Sequence, residues 1–105
     1  MGTELAELGR FSDPSLLILA SLAAGPKHGY AMIEDIEQMG GVRLGPGTLY
    51  GALARLEARG LIEALASDDR RRPYRLTALG AAALHEQLVS LQSFAETGLR
   101  RLAQA

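Results

Sequence analysis

The strongest constraint on this chain is where it cannot be helical. Gly25-Pro26, Gly40-Gly41, Gly45-Pro46-Gly47 and Gly60 interrupt the first sixty residues, and each is a signal that stops a helix or restarts one. The segments between them are helices of about three turns, too short to be stable alone and obliged to pack on one another. Asp13 is suited to cap the first segment and Pro14 to open it. Leu16, Leu17, Ile18, Leu19 and Leu22 make the run from Ser15 to Ala24 apolar nearly all round, the mark of a central, buried helix.

The second segment runs from about His28 to Gln38. Tyr30, Ile33, Ile36 and Met39 recur three apart and read as one apolar stripe, with Glu34, Asp35 and Glu37 largely off it. Val42-Arg43-Leu44 is a short connector or a strand of two or three residues. In the third segment Leu49, Ala52, Leu53 and Leu56 form an i, i+3, i+4, i+7 set. That leaves Thr48, Gly51, Arg55 and Arg59 on another face and Tyr50 at its margin. A short polar helix at Thr3–Leu8 is expected ahead of these.

After Gly60 the pattern changes. Leu61 to Ala66 reads as a strand, Ser67-Asp68-Asp69-Arg70-Arg71-Arg72 as a charged loop, and Pro73-Tyr74-Arg75-Leu76-Thr77 as a return strand. Thr77 can then cap a last helix that continues to about Leu102. In it Leu84, Leu88, Leu91, Ala95, Leu99 and Leu102 recur at intervals of four or three, the spacing of a packing seam. The seam either packs on its own domain or pairs with a second copy. A helix this long projects beyond so small a body, and an unpaired apolar stripe is a patch that soluble monomers avoid, so pairing is the expectation, with Leu5 and Leu8 contributing.

The expected fold is therefore mainly α with a small β-hairpin: a winged helix-turn-helix domain over residues 1–78, followed by a dimerisation helix over 79–105. A helix fills the DNA major groove, a second helix braces it, and a hairpin tip reaches phosphates or an adjacent groove.

The chain has 105 residues and a formal net charge of −1, which by itself argues weakly against nucleic-acid binding. The distribution argues for it. Residues 1–42 carry two basic and six acidic groups, whereas residues 43–75 carry seven basic and four acidic groups, net +3. A local positive patch is thus available to an anionic partner. With no cysteine and only His28 and His85, neither disulfides nor a clustered metal site is expected, and no cofactor is implied. No nucleophile–base–orienter set or phosphate-binding glycine loop stands out, so an enzyme is a poor reading. No apolar run approaches a membrane span, and the acidic start lacks a signal-peptide core; the expected location is cytoplasmic.

Particular residues carry a resemblance. His28-Gly29-Tyr30 opens the second helix. Pro46-Gly47-Thr48-Leu49-Tyr50 opens the third, followed by Leu53, Arg55-Leu56-Glu57 and Gly60-Leu61-Ile62. Then come Arg70-Arg71-Arg72, Tyr74-Arg75-Leu76-Thr77 and Gly80. Over about residues 15–80 the sequence resembles the PadR family of bacterial transcriptional regulators, in its compact subgroup with one long helix after the wing. It departs from the pattern at Gly45, where relatives often have Ser or Thr, and at Gly51, where they often have Pro.

The resemblance implies a homodimer on palindromic double-stranded DNA, usually a repressor, with the third helix in the major groove and the wing on the backbone or minor groove. It also implies that some members release DNA on binding phenolic acids or planar drugs.

The residues expected at DNA are Lys27, His28, Tyr30, Gly47, Thr48, Tyr50, Arg55, Arg70, Arg71 and Arg72. Each has a plainer alternative. Tyr30 reads first as core, with phosphate second; His28 as a helix-start residue; Lys27 as a flexible point charge within reach of phosphate. Tyr50 reads as a packed ring with its hydroxyl near phosphate. Arg55 is divided between DNA and an ion pair with Glu57 or Glu63. Phe11 and Phe94 are the aromatic candidates for an effector pocket between subunits, and ordinary core or interface filling is the alternative for each. The competing functional class is a winged-helix module that binds protein and not DNA.

Overall fold

The computed structural model describes residues 13–67 and 71–105. The helix expected at Thr3–Leu8, with Leu5 and Leu8, and likewise Phe11 and Arg70, lie outside the described residues.

Helix α1 (Pro14–Leu22) starts as its sequence dictates. The Asp13 carboxylate accepts the Ser15 N–H at 3.0 Å, and Pro14 takes a first-turn position where its missing N–H is no loss. Leu17, Ile18, Leu19 and Leu22 are buried, and α1 touches the other helices and the sheet, as the nearly all-round apolar sequence requires.

Strand β1 (Lys27–His28) leads directly into α2 (Gly29–Gly40). This strand is a correction to the sequence reading, which began the second helix at His28 and foresaw only a two-stranded hairpin. Two residues carry no periodicity, so nothing local marks them as a strand. They become one because the hairpin leaves a free edge beside them. His28 instead caps α2, its Nδ1 accepting the Ala31 N–H at 3.4 Å.

The apolar stripe of α2 is also corrected. Ile33 and Ile36 are buried with Met32, but Tyr30 and Met39 are 58% and 48% exposed. At roughly 100° per residue, a spacing of three drifts by about 60° per step, so Tyr30 and Met39 fall on opposite sides of the helix. The inward position at the start of α2 belongs to Gly29.

Helix α3 (Pro46–Ala58) buries Leu49, Ala52, Leu53 and Leu56, the set its spacing predicts. Each buried leucine contributes about 1.5–3 kcal/mol of transfer free energy. The hairpin of β2 (Ile62–Ala64) and β3 (Pro73–Leu76) follows, and the sheet order is β1-β3-β2, antiparallel throughout. Lys27 pairs with Tyr74 and His28 with Pro73 on one side of β3; Ile62, Glu63 and Ala64 pair with Leu76, Arg75 and Tyr74 on the other.

Helix α4 (Ala78–Gln104) is locked to this sheet at its first turn. The Thr77 hydroxyl donates to the Gly60 carbonyl at 2.6 Å and accepts the Gly80 N–H at 3.0 Å. Gly80 is required there: a Cβ would overlap the Leu61 carbonyl oxygen. The 27 residues of α4 rise about 40 Å, which makes the molecule long, 57 Å against 30 and 20 Å.

Leu84 is a correction to the set of residues expected in a pairing seam on this helix. It is buried in the chain's own core with Leu17, Ile18 and their neighbours, because the first two turns of α4 lie against α1 and β3. Beyond it Leu88, Leu99 and Leu102 are exposed and Leu91 is half-buried.

Candidate nucleic-acid interface

The first turns of α3 face outward. Gly45 caps the helix without a side-chain hydrogen bond, and Gly45, Pro46, Gly47 and Thr48 are all exposed. The helix start therefore presents backbone N–H groups, the positive end of its dipole and the Thr48 hydroxyl together. That combination favours an anion and, on a helix that fits a groove, the phosphates at its edge.

Beside this end lies a cleft of about 330 Å³ lined by His28, Gly29, Tyr30, Tyr50, Arg71, Arg72 and Tyr74. Three separate stretches of sequence build it. The turn from β1 to α2 supplies His28, Gly29 and Tyr30; α3 supplies Tyr50; the wing supplies the arginines and Tyr74. The Tyr50 ring is seated over Gly29, where a Cβ would come within 2.5 Å of the phenol oxygen. Tyr50 nevertheless stays 53% exposed, so one face is packed and the rest is presented.

Arg71 and Arg72 are exposed and form no ion pair among the described residues. Their charge remains available to a phosphate at the cleft. Burial raises the pKa of the Tyr74 phenol, Glu57 and Tyr50 add to this, and Arg72 opposes it. Tyr74 is thus a neutral hydroxyl at physiological pH, a donor as well as an acceptor.

Two other arginines are paired with acids. Arg43, in the turn before α3, donates to Glu37 at 2.9 Å. That hydrogen bond and charge raise the Arg43 pKa, with smaller help from Tyr30. Arg75 pairs with Glu63 across the hairpin, which removes one of the two acids weighed as partners for Arg55. Arg55 is exposed and runs back along α3, its guanidinium 3.6 Å from where a Cβ on Gly51 would stand.

Lys27 departs most from its expected place. Its Nζ is turned inward, donating to the Ser21 carbonyl at 2.6 Å. The picture of a free, flexible charge is corrected, because the ammonium satisfies the open carbonyl end of α1.

The model of the transcriptional regulator PadR-like family matches residues 18–86. This chain belongs to that family. It is 50% identical over 82 residues to an uncharacterised 37.1 kDa protein in transposon Tn4556 of Streptomyces fradiae, covering 78% of this chain and 24% of that protein. It is 42% identical over 83 residues to the transcriptional regulator Rv3488 of Mycobacterium tuberculosis, covering 76% of this chain and 77% of the relative. The chain therefore spans about a quarter of the first relative and most of the second. A PadR family transcription regulator from Clostridium difficile has the same fold, with a TM-score of 0.76 at 24% identity over 85% of this chain and 97% of that one.

PadR-type proteins are transcriptional regulators, not enzymes, and the architecture here is their winged-helix fold. Among the described residues no helix is long and apolar enough to cross a membrane. Of the residues expected at DNA, the PadR-type fold brings His28, Tyr30, Tyr50, Arg71 and Arg72 to one cleft and puts Gly47 and Thr48 at the exposed start of α3. It sets Lys27 apart and leaves Arg55 on the exposed side of α3. Sequence reasoning missed Tyr74 as a wall of the cleft and Arg43 as a group beside Tyr30. Alternation along β3 was the available signal for Tyr74; Arg43 lies in the short connector after Gly40-Gly41 and had none.

Proposed function

We propose that this chain is a dimeric, operator-binding PadR-type repressor. Its α3 enters the major groove of a palindromic double-stranded site while Arg71 and Arg72, with Arg70 beside them, hold the flanking backbone. The supporting observation is the convergence on one cleft of two wing arginines, without an ion pair among the described residues, and two exposed tyrosines beside the open start of α3. Phosphate contacts position such a protein and the groove-facing helix reads bases. Thr48 and Gly47 suit the closest approach, and Arg55 is the longer reach further along.

A second copy is the proposed partner of α4. Leu88, Val89, Phe94, Leu99 and Leu102 are exposed on it. An apolar groove of about 180 Å³ lined by Leu16, Leu17, Ala20, Met39, Gly40, Leu88 and Leu91 continues the same surface. In an antiparallel pair centred at Ala95, Leu91 faces the partner's Leu99 and Leu88 faces the partner's Leu102, and the small Ala95 allows close approach. Leu5 and Leu8 belong to this proposed interface as well, so residues 1–78 bind DNA and lend part of the pairing surface that residues 79–105 mainly supply. Release by a small aromatic effector rests on the family resemblance, with Phe94, 78% exposed, and Phe11 as its proposed contacts.

The test is a fluorescence-anisotropy titration on duplex DNA from upstream of the chain's own coding sequence, at several salt concentrations. Binding should fall steeply with salt. Replacing Arg71 and Arg72 together by Ala should reduce the log–log slope by about 0.9 per lost phosphate contact. Transcription from that promoter in vitro should fall as protein is added, and a phenolic acid should restore it. Absence of binding at low salt would identify a protein-interaction module instead.

A further inference from the structure

Where α1 ends, β1 begins and α2 passes, three polar side chains are tied in one knot. Ser21 is 1% exposed, and its hydroxyl donates to Asp35 at 2.6 Å. The Lys27 ammonium donates to the Ser21 carbonyl at 2.6 Å, lies 3.5 Å from the Gly25 carbonyl, and stands 3.9 Å from the Asp35 carboxylate. Its side chain is 19% exposed. Each partner has its reason. The Ser21 carbonyl in the last turn of α1 receives only a long backbone bond, from the Ala24 N–H at 3.4 Å, and lies at the negative end of the helix dipole. Asp35 supplies a second negative group, and the Ser21 hydroxyl gives that carboxylate a further donor.

The backbone of the same lysine is the outer strand of the sheet. Lys27 pairs with Tyr74, and His28 with Pro73, immediately after the two wing arginines. Strand β1 has two residues, too few to hold a register without help. The side-chain knot supplies that help by fixing Lys27 to both α1 and α2.

We infer that Lys27 is a positioning residue: tied to Ser21 and Asp35, it anchors β1 and through β1 sets the wing, with its Arg71 and Arg72, against the α3 end of the cleft. It acts on DNA through the wing and not by touching phosphate. The inference rests on the operator-binding reading for its effect on DNA, but its mechanical half can be read without DNA.

Two variants separate this from a direct contact. Lys27→Met keeps the aliphatic stem and removes the ammonium. Asp35→Asn keeps an acceptor for Ser21 and loosens the lysine. Both are measured by anisotropy on the upstream duplex, alone and with Arg71 and Arg72 replaced by Ala. We expect each to weaken binding about fivefold in the parent and to have little further effect once the wing arginines are gone, the non-additivity of groups acting through one contact. Lys27→Arg, which can still reach both carbonyls, should restore most of the affinity.

The sign of the Asp35→Asn effect is the sharpest discriminator. Removing an acid should strengthen DNA binding if it frees Lys27 for phosphate, so tighter binding overturns the inference. So does an additive loss with Lys27→Met, or no loss at all. Amide exchange gives the reading without DNA. Protection in β1 and β3 should fall in both variants while that of α3 is kept; unchanged protection in β1 overturns the anchor. Loss of protection in a protein that binds no DNA would leave the anchor standing and reject the operator reading. A variant of Lys27 too unstable to measure leaves Asp35→Asn to decide.

Discussion

Gly51 sits in the second turn of α3, in ordinary helical conformation, with room above it. A Cβ there would meet the Arg55 guanidinium at 3.6 Å, an ordinary contact. Nothing in the packing demands glycine, so Gly51→Ala should stabilise the protein by up to about 1 kcal/mol, the helix-propensity difference. A rise in thermal midpoint of about 5 °C would register it. Tyr74 makes the contrasting case of an environment acting on a titration. Its folded pKa is raised by burial, then by Glu57, so the folded state keeps the phenolic proton to higher pH than the unfolded chain. The associated stability is present below the unfolded value near about 10 and is lost as pH rises through the folded value. Urea midpoints measured across that range should decline, and Tyr74→Phe should flatten the decline. These residue-level features divide by legibility. Thr77 as a cap and Pro14 as an opener could be read from residue type and neighbours. The exposure of Tyr30 could not, because it depends on which face of α2 the β1 turn directs inward.

At the scale of elements, the joints matter more than the helices. The joint between β2, β3 and α4 is one set of contacts: Thr77 to Gly60, Gly80 to Thr77, and the Thr77 N–H to the Leu61 carbonyl at 3.1 Å. Gly80→Ala forces a methyl group onto backbone that cannot rotate away. It should destabilise by about 3 kcal/mol or more, at the upper end of overpacking effects, visible as a reduced denaturant midpoint with the slope retained. Thr77→Ala removes the cap and the Gly60 bond and should lose about 1–2 kcal/mol in the same assay. The helices and the hairpin were legible because apolar spacing and turn residues are local. Strand β1 was not, since a strand of two residues exists only by pairing with a partner 47 positions on, Lys27 with Tyr74.

For the molecule as a whole, the proposed division of labour makes pairing a condition for tight binding. Leu99 is 67% exposed and well past the last core contact of α4, so Leu99→Arg should leave the winged domain folded. In a paired seam the same change buries a charge without a partner. Light scattering should then report a monomer with unchanged helicity, and operator affinity should fall on the order of 100-fold as the two half-sites are no longer engaged together. A variant that stays dimeric would reject the proposed seam. The uneven charge distribution belongs to this scale too. Net charge is near zero, yet Arg71 and Arg72 line one cleft with no ion pair among the described residues, while Glu37 and Glu63 take up Arg43 and Arg75.

Much of this protein was determined by sequence alone: three short helices from glycine and proline breaks, the buried face of α3 from 3.6-residue periodicity, the hairpin, and the long capped last helix. These are near-neighbour effects, set by backbone dihedral limits and by the side chains within one turn. Tertiary structure decided the rest. It turned Lys27 inward to the end of α1, claimed Leu84 for the core, sent Tyr30 outward, and assembled one cleft from residues 28 to 74. Such outcomes depend on which groups from distant stretches compete for the same space and the same hydrogen bonds, and no local pattern carries that information.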